Sequence, residues 1–109
     1  MIDGLWTVEF ISAINRYGRG VLVLNNGRLL GGDDGYYYSR KYDITDNNIV
    51  CDVDVIKYDA NSISIFGNVD QFKLTISGKI DDFQLSAIGS VANNHQSHVR
   101  IVGNKKENL

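Results

Sequence analysis

Apolar side chains recur at every second position over most of this chain, a rhythm that predicts β-strands rather than helices. In the first such segment Trp6, Val8 and Phe10 fall on one face, while Thr7 and Glu9 fall on the other. The same alternation returns in residues 49–55, in 72–76 and in 83–91, where it begins at Phe83, and residues 99–102 predict a last strand. Strands that are apolar on one face are typical of an antiparallel sheet with one side against a core.

Turn-forming residues separate these segments. Asn26 and Gly27 tolerate the positive φ angles of a two-residue type I′ turn, so they predict a hairpin. The glycine-rich segment 31–35 predicts a bend, and residues 45–48 predict another turn. Residues 21–24 are apolar on both faces, which predicts a strand that is covered on both sides.

The number and spacing of these segments predict the fold class. About seven or eight strands joined by short turns indicate an all-β protein. We expect an antiparallel up-and-down meander that closes into a small β-barrel, because joining the first strand to the last removes both exposed edges. A chain of 109 residues suits a single domain. We assign residues 1–103 to this domain and residues 104–109 to a polar C-terminal tail, and we expect Gly78 and Gly89 to leave space inside the barrel.

Aromatic side chains concentrate on one face of the strand that follows the glycine-rich segment. Tyr36, Tyr38 and Tyr42 share that face, which predicts that they point into the barrel. Together with Trp6 and Phe10 they either fill a plain core or line a cavity in which hydroxyl groups orient a small ligand. The sequence leaves both interpretations open, since a barrel of about eight strands has room for either.

Composition limits the cellular compartment and the classes of partner that we expect for this protein. The single cysteine, Cys51, can form neither an intramolecular disulfide nor a cysteine-based zinc site. A net charge of −2 with mixed signs argues against nucleic acid as a partner. No apolar run approaches the ~18 residues that cross a bilayer, and the first residues lack the pattern of a secretory signal. We therefore expect a cytoplasmic protein with no membrane contact.

Residues that carry catalysis or bind metals form no recognisable group in the sequence. His95 and His98 lie in a polar segment without a nearby carboxylate or thiol to complete a metal site. Cys51 alternates inward with apolar neighbours, where its thiolate is disfavoured. The paired aspartates at 33–34 and 81–82 suit turns, in which Asp caps its own backbone. We therefore expect no metal site, no cofactor and no enzymatic activity.

Several segments resemble a known family. They are DGLWTVEF at 3–10, GVLVL at 20–24, NGRLLGGD at 26–33 and GYYY at 35–38, and together they resemble the GrlR family of negative regulators of type III secretion. The similarity continues through Tyr42 and covers most of the chain. It implies a lipocalin-like β-barrel that dimerises, binds no DNA itself and, in the regulators, sequesters a transcriptional activator.

The resemblance also implies a partner-binding loop. In the regulators an acidic surface tetrapeptide contacts the activator, and its position here falls on Thr45, Asp46, Asn47 and Asn48. Asp46 is the one acidic residue at these four positions, so a basic partner would be held more weakly than in the regulators.

These observations lead to two functional expectations. The first is a noncatalytic regulatory protein that acts through protein–protein contacts, as a homodimer and with a further regulatory protein as partner. The apolar outer face of the strand at 21–24 motivates the dimer. The alternative is a lipocalin-like carrier that binds a small apolar ligand in the barrel interior, lined by Trp6, Phe10, Tyr36 and Tyr38. The first expectation requires an exposed apolar or acidic patch, and the second requires a continuous cavity of about 300 Å³ or more.

Overall fold

The computed structural model describes residues 2–12, 17–63, 70–91 and 94–109, with the backbone alone described for residues 94–97. Within these residues the chain forms nine β-strands. They are β1 (Gly4–Ser12), β2 (Tyr17–Asn25), β3 (Arg28–Gly32), β4 (Tyr36–Lys41), β5 (Asp43–Thr45), β6 (Asn48–Lys57), β7 (Gln71–Ile80), β8 (Gln84–Val91) and β9 (Asn94–Asn108). None of the described segments forms a helix of the length and apolar character needed to cross a membrane.

The strands close into a barrel. Each described pairing between strands is antiparallel, β1 pairs with both β2 and β9, and β4 pairs with β6. Eight strands thus complete a ring. The ninth, the short strand β5, pairs with β6 in the same register as β4, since Ser39 lies opposite Asp54 and Asp43 lies opposite Val50. Closure pairs the long edges that an open meander would expose. The predicted all-β meander closing into a small barrel is confirmed.

The inner faces of the strands form one continuous core. The alternation predicted for β1, β6 and β7 is confirmed, since their inward-facing side chains are buried: Trp6, Val8, Ile49, Cys51, Val53, Val55, Leu74 and Ile76. Trp6 is completely buried, and its indole N–H donates a hydrogen bond to the Ile2 carbonyl oxygen at 2.9 Å. Burial of one large apolar side chain contributes about 1.5–3 kcal/mol, so this core is the main source of stability.

Two hairpin turns have the geometry that their sequences predict. Asn26 and Gly27 adopt φ angles of 52° and 80°, so the predicted type I′ turn between β2 and β3 is confirmed. The turn predicted at residues 45–48 is confirmed as well, and Asp46 and Asn47 adopt φ angles of 52° and 67° there. Asn and Asp tolerate this left-handed region better than other side chains do, which is why the second turn needs no glycine.

Aspartates cap two other turns, as predicted. In the turn from β3 to β4, Asp33 Oδ1 accepts hydrogen bonds at 2.9 Å from the backbone N–H groups of Gly35 and Tyr36. In the turn from β7 to β8, Asp81 Oδ1 accepts two such bonds at 2.8 Å, from Phe83 and Gln84. These bonds favour the ionised carboxylate and lower the pKa of Asp81.

Two predictions about individual side chains are wrong. Phe83 lies in the turn before β8 rather than in the strand, so it escapes the alternation and is 72% exposed. The strand at 21–24 is not covered on both sides within this chain, because Val21 on the outer face is 48% exposed. Alternation predicts which side of the sheet a side chain faces only within a regular strand, and Phe83 lies outside β8, which explains the error.

The last strand is longer than the sequence predicts. Instead of ending near Val102, β9 continues to Asn108, and Lys105 pairs with Trp6 while Asn108 pairs with Gly4. Residues 104–108, predicted as part of a polar tail, therefore belong to the barrel wall. Their polar side chains obscure the strand because much of this stretch faces solvent rather than the core.

The prediction that Gly78 and Gly89 leave space inside the barrel is wrong. A Cβ atom on Gly89 would lie 3.0 Å from side-chain atoms of Leu74 and Val99, so neighbouring side chains already fill that space. A Cβ atom on Gly78 would lie 2.4 Å from the Ala87 Cα, so this glycine permits a close approach between β7 and β8. Both glycines serve packing rather than the creation of a cavity.

Candidate ligand-binding cavity

A cavity of about 390 Å³ opens at one end of the barrel. Its wall includes inward-facing side chains from β1, β4, β6, β7 and β9. Among the described residues, its rim is formed by the first residues of β2, the turn from β3 to β4 and the start of the connection from β6 to β7. We call this end the cavity end of the barrel. The volume lies in the range of small-molecule sites, which begins at about 300 Å³.

The structure divides the aromatic residues that were predicted to line the interior. Phe10, Tyr36 and Tyr38 line the cavity. Trp6 and Tyr42 are buried toward the other end of the barrel, where Tyr42 donates its backbone N–H to the Gly27 carbonyl oxygen at 2.8 Å. Alternation along a strand predicts which side chains face inward but not their height along the barrel axis, so it could not separate these two groups.

Other lining residues were not predicted as site residues. Phe72 belongs to the inward-facing set of β7, so the alternation contained a signal for it. Tyr17, Arg19 and Ser62 also line the rim. Tyr17 and Arg19 are the first outward-facing residues of β2, and Ser62 lies in the connection from β6 to β7. No pattern in the sequence brings these rim residues together, because their proximity arises from barrel closure.

Two pairs of aromatic rings form much of the cavity wall. Phe10 and Tyr38 meet edge to face, with ring centroids 5.8 Å apart and an interplanar angle of 80°. Tyr36 and Phe72 are tilted at 58° with centroids 6.2 Å apart. Both distances lie in the favourable range for aromatic pairs, so each pair holds its rings in place without a ligand.

A hydrogen-bonded pair joins this wall to the rim. The Tyr38 hydroxyl donates to Asp33 Oδ2. Burial of the phenol, together with the negative charge and hydrogen bond of Asp33, raises the pKa of Tyr38 far above its ordinary value. Tyr38 therefore remains a neutral hydrogen-bond donor throughout the physiological range.

Two cations lie beside aromatic rings at this end. Arg19 Nε donates to the Tyr17 hydroxyl at 3.0 Å, and its guanidinium carbon lies 5.3 Å from the Tyr17 ring centroid. The Lys57 side chain is 7% exposed, with Nζ 5.8 Å from the Tyr36 ring centroid and 3.3 Å from the carboxylate of Asp70. Cations favour the face of an aromatic ring, so these contacts help to fix both tyrosines.

Two candidate reactive groups, Cys51 and His98, do not line the cavity, whereas the Asp33–Asp34 pair lies at its rim. Cys51 is buried in the core, as predicted, and its Sγ donates to the Lys41 carbonyl oxygen at 3.2 Å. Burial raises the pKa of its thiol to about 11. His98 is exposed, with Nδ1 3.4 Å from Ser90 Oγ, and the side chain of His95 lies outside the described residues. Among the residues that the structure describes, no three His, Cys, Asp or Glu side chains are grouped to hold a metal ion.

The predicted partner-binding turn lies at the opposite end of the barrel. Thr45, Asp46, Asn47 and Asn48 are all exposed. The Asn47 carbonyl oxygen accepts a hydrogen bond at 2.9 Å from Ile80, the last residue of β7, whereas β7 begins at the cavity end. A ligand in the cavity and a protein at this turn would therefore occupy separate surfaces.

An apolar patch covers part of the outer wall. Register places Leu5, Val23 and Leu30 side by side on β1, β2 and β3, with Val21 and Tyr37 close by. Leu5, Val21, Leu30 and Tyr37 are between 36% and 48% exposed. We call these five residues the outer patch.

Comparison with known proteins supports the fold alone. No protein-family model matches the chain, and no curated protein matches it. The structure is similar to the solved structure of a redesigned β-barrel, with a TM-score of 0.67 and 15% sequence identity over 97% of this chain and 92% of that chain. At this level of identity the match shows that the chain adopts a β-barrel fold and carries no information about function.

Proposed function

We propose that this protein binds a small, mainly apolar ligand in the cavity at the end of the barrel. The observation that carries the proposal is the cavity itself, about 390 Å³ in volume and walled by two preformed aromatic pairs. Ligand sites of this kind combine an apolar lining with a few polar groups that orient the ligand. Here the apolar side chains form the wall, and polar side chains such as Arg19 and Asp34 lie at the rim.

This arrangement favours a ligand that buries an apolar body and leaves its polar end near the entrance. The Asp33 carboxylate is already engaged by three donors, two backbone N–H groups and the Tyr38 hydroxyl. It therefore supports the wall rather than demanding a charged group from the ligand. Apolar contact with the aromatic rings supplies the main attraction, at about 25 cal/mol for each Å² removed from water.

Titration with N-phenyl-1-naphthylamine, an uncharged dye that fluoresces in apolar surroundings, tests the proposal. Val55 lies on the cavity wall and is 6% exposed, so Val55→Phe should fill the cavity and abolish the fluorescence increase. Val21→Phe makes the same change on the outer wall and should leave the titration unchanged. Equal binding by both variants would contradict a site inside the barrel.

The outer patch supports a second function, self-association through protein contacts. Its exposed side chains lie on adjacent strands, and contiguous apolar surface of this kind is typical of interfaces. The same face on two copies would form a symmetric dimer, the commonest closed assembly. A regulatory role resembling that of the GrlR family would add a partner at the turn of residues 45–48, separate from both the patch and the cavity.

Sedimentation equilibrium tests the dimer. We expect the native chain to have the mass of a dimer and Val21→Lys to have that of a monomer, because the charge would be buried in the interface. Ile88→Lys is the matched control, since Ile88 is 59% exposed on β8, away from the outer patch. A monomer mass for the native chain at every concentration would exclude self-association and leave the cavity as the proposed site.

A further inference from the structure

We propose that the segment from Tyr58 to Ile63, here called the strap, controls access to the cavity, and that its contact with the turn from β3 to β4 is the fastening whose release widens the entrance. The inference rests on the proposed function of the cavity. It assigns to the strap a role that the barrel wall does not provide, because the wall is built from paired strands, whereas the strap contacts the described residues through local hydrogen bonds.

The ends of the connection from β6 to β7 are held together at the barrel wall. The Lys57 backbone N–H donates to the Asp70 carbonyl oxygen at 2.8 Å, and Lys57 Nζ lies 3.3 Å from Asp70 Oδ1. Movement of the strap therefore need not disturb the pairing of β6 with β7.

Three hydrogen bonds fasten the strap to the turn. The Tyr58 and Asp59 backbone N–H groups both donate to the Gly35 carbonyl oxygen, at 2.9 and 3.3 Å. The Tyr58 hydroxyl donates to the Asp33 carbonyl oxygen. The Tyr58 side chain is largely exposed, so its hydroxyl forms this bond at the surface, where water can replace either partner. A fastening of this strength is suited to repeated opening.

Shape complementarity supports the same contact. A Cβ atom on Gly35 would lie 2.1 Å from Ser62 Oγ and 2.3 Å from Ser62 Cβ, so any side chain at position 35 would displace the strap. The strap has its own internal order, because Ser62 donates its backbone N–H to the Asp59 carbonyl oxygen at 3.0 Å. Displacement at Ser62 should therefore move the strap as a unit.

The strap lies at the cavity entrance. Ser62 and Ile63 both line the cavity, next to the turn that holds the strap in place. The Ile63 side chain is 66% exposed, which leaves an apolar surface at the entrance for an incoming ligand. Release of the strap from Gly35 would widen the opening without breaking any pairing between strands.

Thiol labelling measures access without relying on ligand binding. In a Cys51→Ser/Val55→Cys variant the thiol lies on the cavity wall, and its rate of reaction with the neutral reagent methyl methanethiosulfonate reports how accessible that wall is from the entrance. Adding Tyr58→Phe should raise this rate about two- to tenfold, the effect of one net hydrogen bond on an opening equilibrium. Gly35→Ala should raise it at least as much. Ser77→Ala removes an exposed hydroxyl on the outer face of β7, away from both the cavity and the outer patch, and should leave the rate unchanged.

Further variants in the labelling experiment separate movement of the strap from unfolding of the whole protein. Ser62→Gly removes the atoms that an alanine at position 35 would strike, so the Gly35→Ala/Ser62→Gly pair should label more slowly than Gly35→Ala alone. In the chain that keeps Cys51 and Val55, the strap variants should not change the labelling rate of Cys51. A change there would show global unfolding and overturn the proposal, as would equal rates for Tyr58→Phe, Gly35→Ala and Ser77→Ala. Failure of the dye to bind, with labelling still accelerated, would overturn the proposed function but not the role of the strap.

Discussion

Tyr38 and Asp33 lie five residues apart, and their side chains meet where the hydroxyl of Tyr38 donates a hydrogen bond to Asp33 Oδ2. The other carboxylate oxygen accepts the backbone N–H groups of Gly35 and Tyr36. One carboxylate therefore organises the turn and also holds a ring of the cavity wall. The rim and the wall of the cavity are thereby built as a unit.

Removal of this hydroxyl should destabilise the fold. Tyr38→Phe deprives the partly buried Asp33 carboxylate of a donor, and we expect the free energy of unfolding to fall by about 1–3 kcal/mol. Tyr37→Phe removes a hydroxyl from a ring that is 44% exposed and should change it by less than about 0.5 kcal/mol. Urea unfolding of both variants measures the difference, and equal stabilities would show that the Tyr38–Asp33 bond adds nothing.

The buried thiol predicts a loss of stability at high pH. Burial raises the pKa of Cys51 from 9.0 to about 11, so the unfolded chain loses this proton first as the pH rises. The stability due to the neutral thiol is complete below about pH 9 and is lost as the pH rises through about 11. In Cys51→Ala the decline over this range should be smaller by about 2 kcal/mol. Urea titrations at several pH values measure how steeply the free energy of unfolding falls with pH. Identical slopes for the native chain and Cys51→Ala would contradict the prediction.

The extension of β9 should contribute to closure of the barrel. Removal of residues 104–109 leaves the first residues of β1 without their partners on β9, since Thr7 pairs with Asn104 and Leu5 with Glu107. We expect a lower thermal unfolding midpoint, by about 10 °C or more, because several ladder hydrogen bonds and the cover over the core are lost together. Removal of Leu109 alone, which lies beyond β9, should leave the midpoint unchanged. If removal of residues 104–109 left the midpoint unchanged, this segment would be a tail that adds nothing to the barrel.

Two glycines should respond to alanine for different reasons. Gly78→Ala places a Cβ atom 2.4 Å from the Ala87 Cα and should cost about 2–4 kcal/mol, because two paired strands have to separate. At Gly27 the nearest atom to an added Cβ is 3.8 Å away, so the cost arises from the φ angle of 80° and should be about 1 kcal/mol. Chemical unfolding compares the two variants. A larger loss for Gly27→Ala would contradict the close approach of β7 and β8.

Local patterns predict much of the fold because strand facing and turn chemistry are local properties. The alternation from Ile49 to Val55 needs only neighbouring residues to specify a buried face, and Asn26-Gly27 carries its own backbone preference. The length of β9 was missed because its last residues are polar. Their place in the sheet is determined by pairing with β1, about a hundred residues earlier in the chain.

The cavity could be predicted only in part for a related reason. Phe10, Tyr36 and Tyr38 share inward faces, which the sequence indicates, but their separation from Trp6 depends on height along the barrel. The rim depends on contacts such as that of Gly35 with Ser62, which join loops distant in sequence. No periodicity connects such residues, so only the closed barrel reveals them.

NMR of methyl groups directly tests whether a ligand binds inside the barrel. On titration with N-phenyl-1-naphthylamine, we expect saturable chemical-shift changes at the methyl groups of Val55, Leu74 and Val99, which line the cavity. The methyl groups of Leu24 and Ile80, buried toward the opposite end, should remain unchanged. Chemical-shift changes confined to the outer patch, or none at the highest dye concentration that stays in solution, would contradict ligand binding inside the barrel.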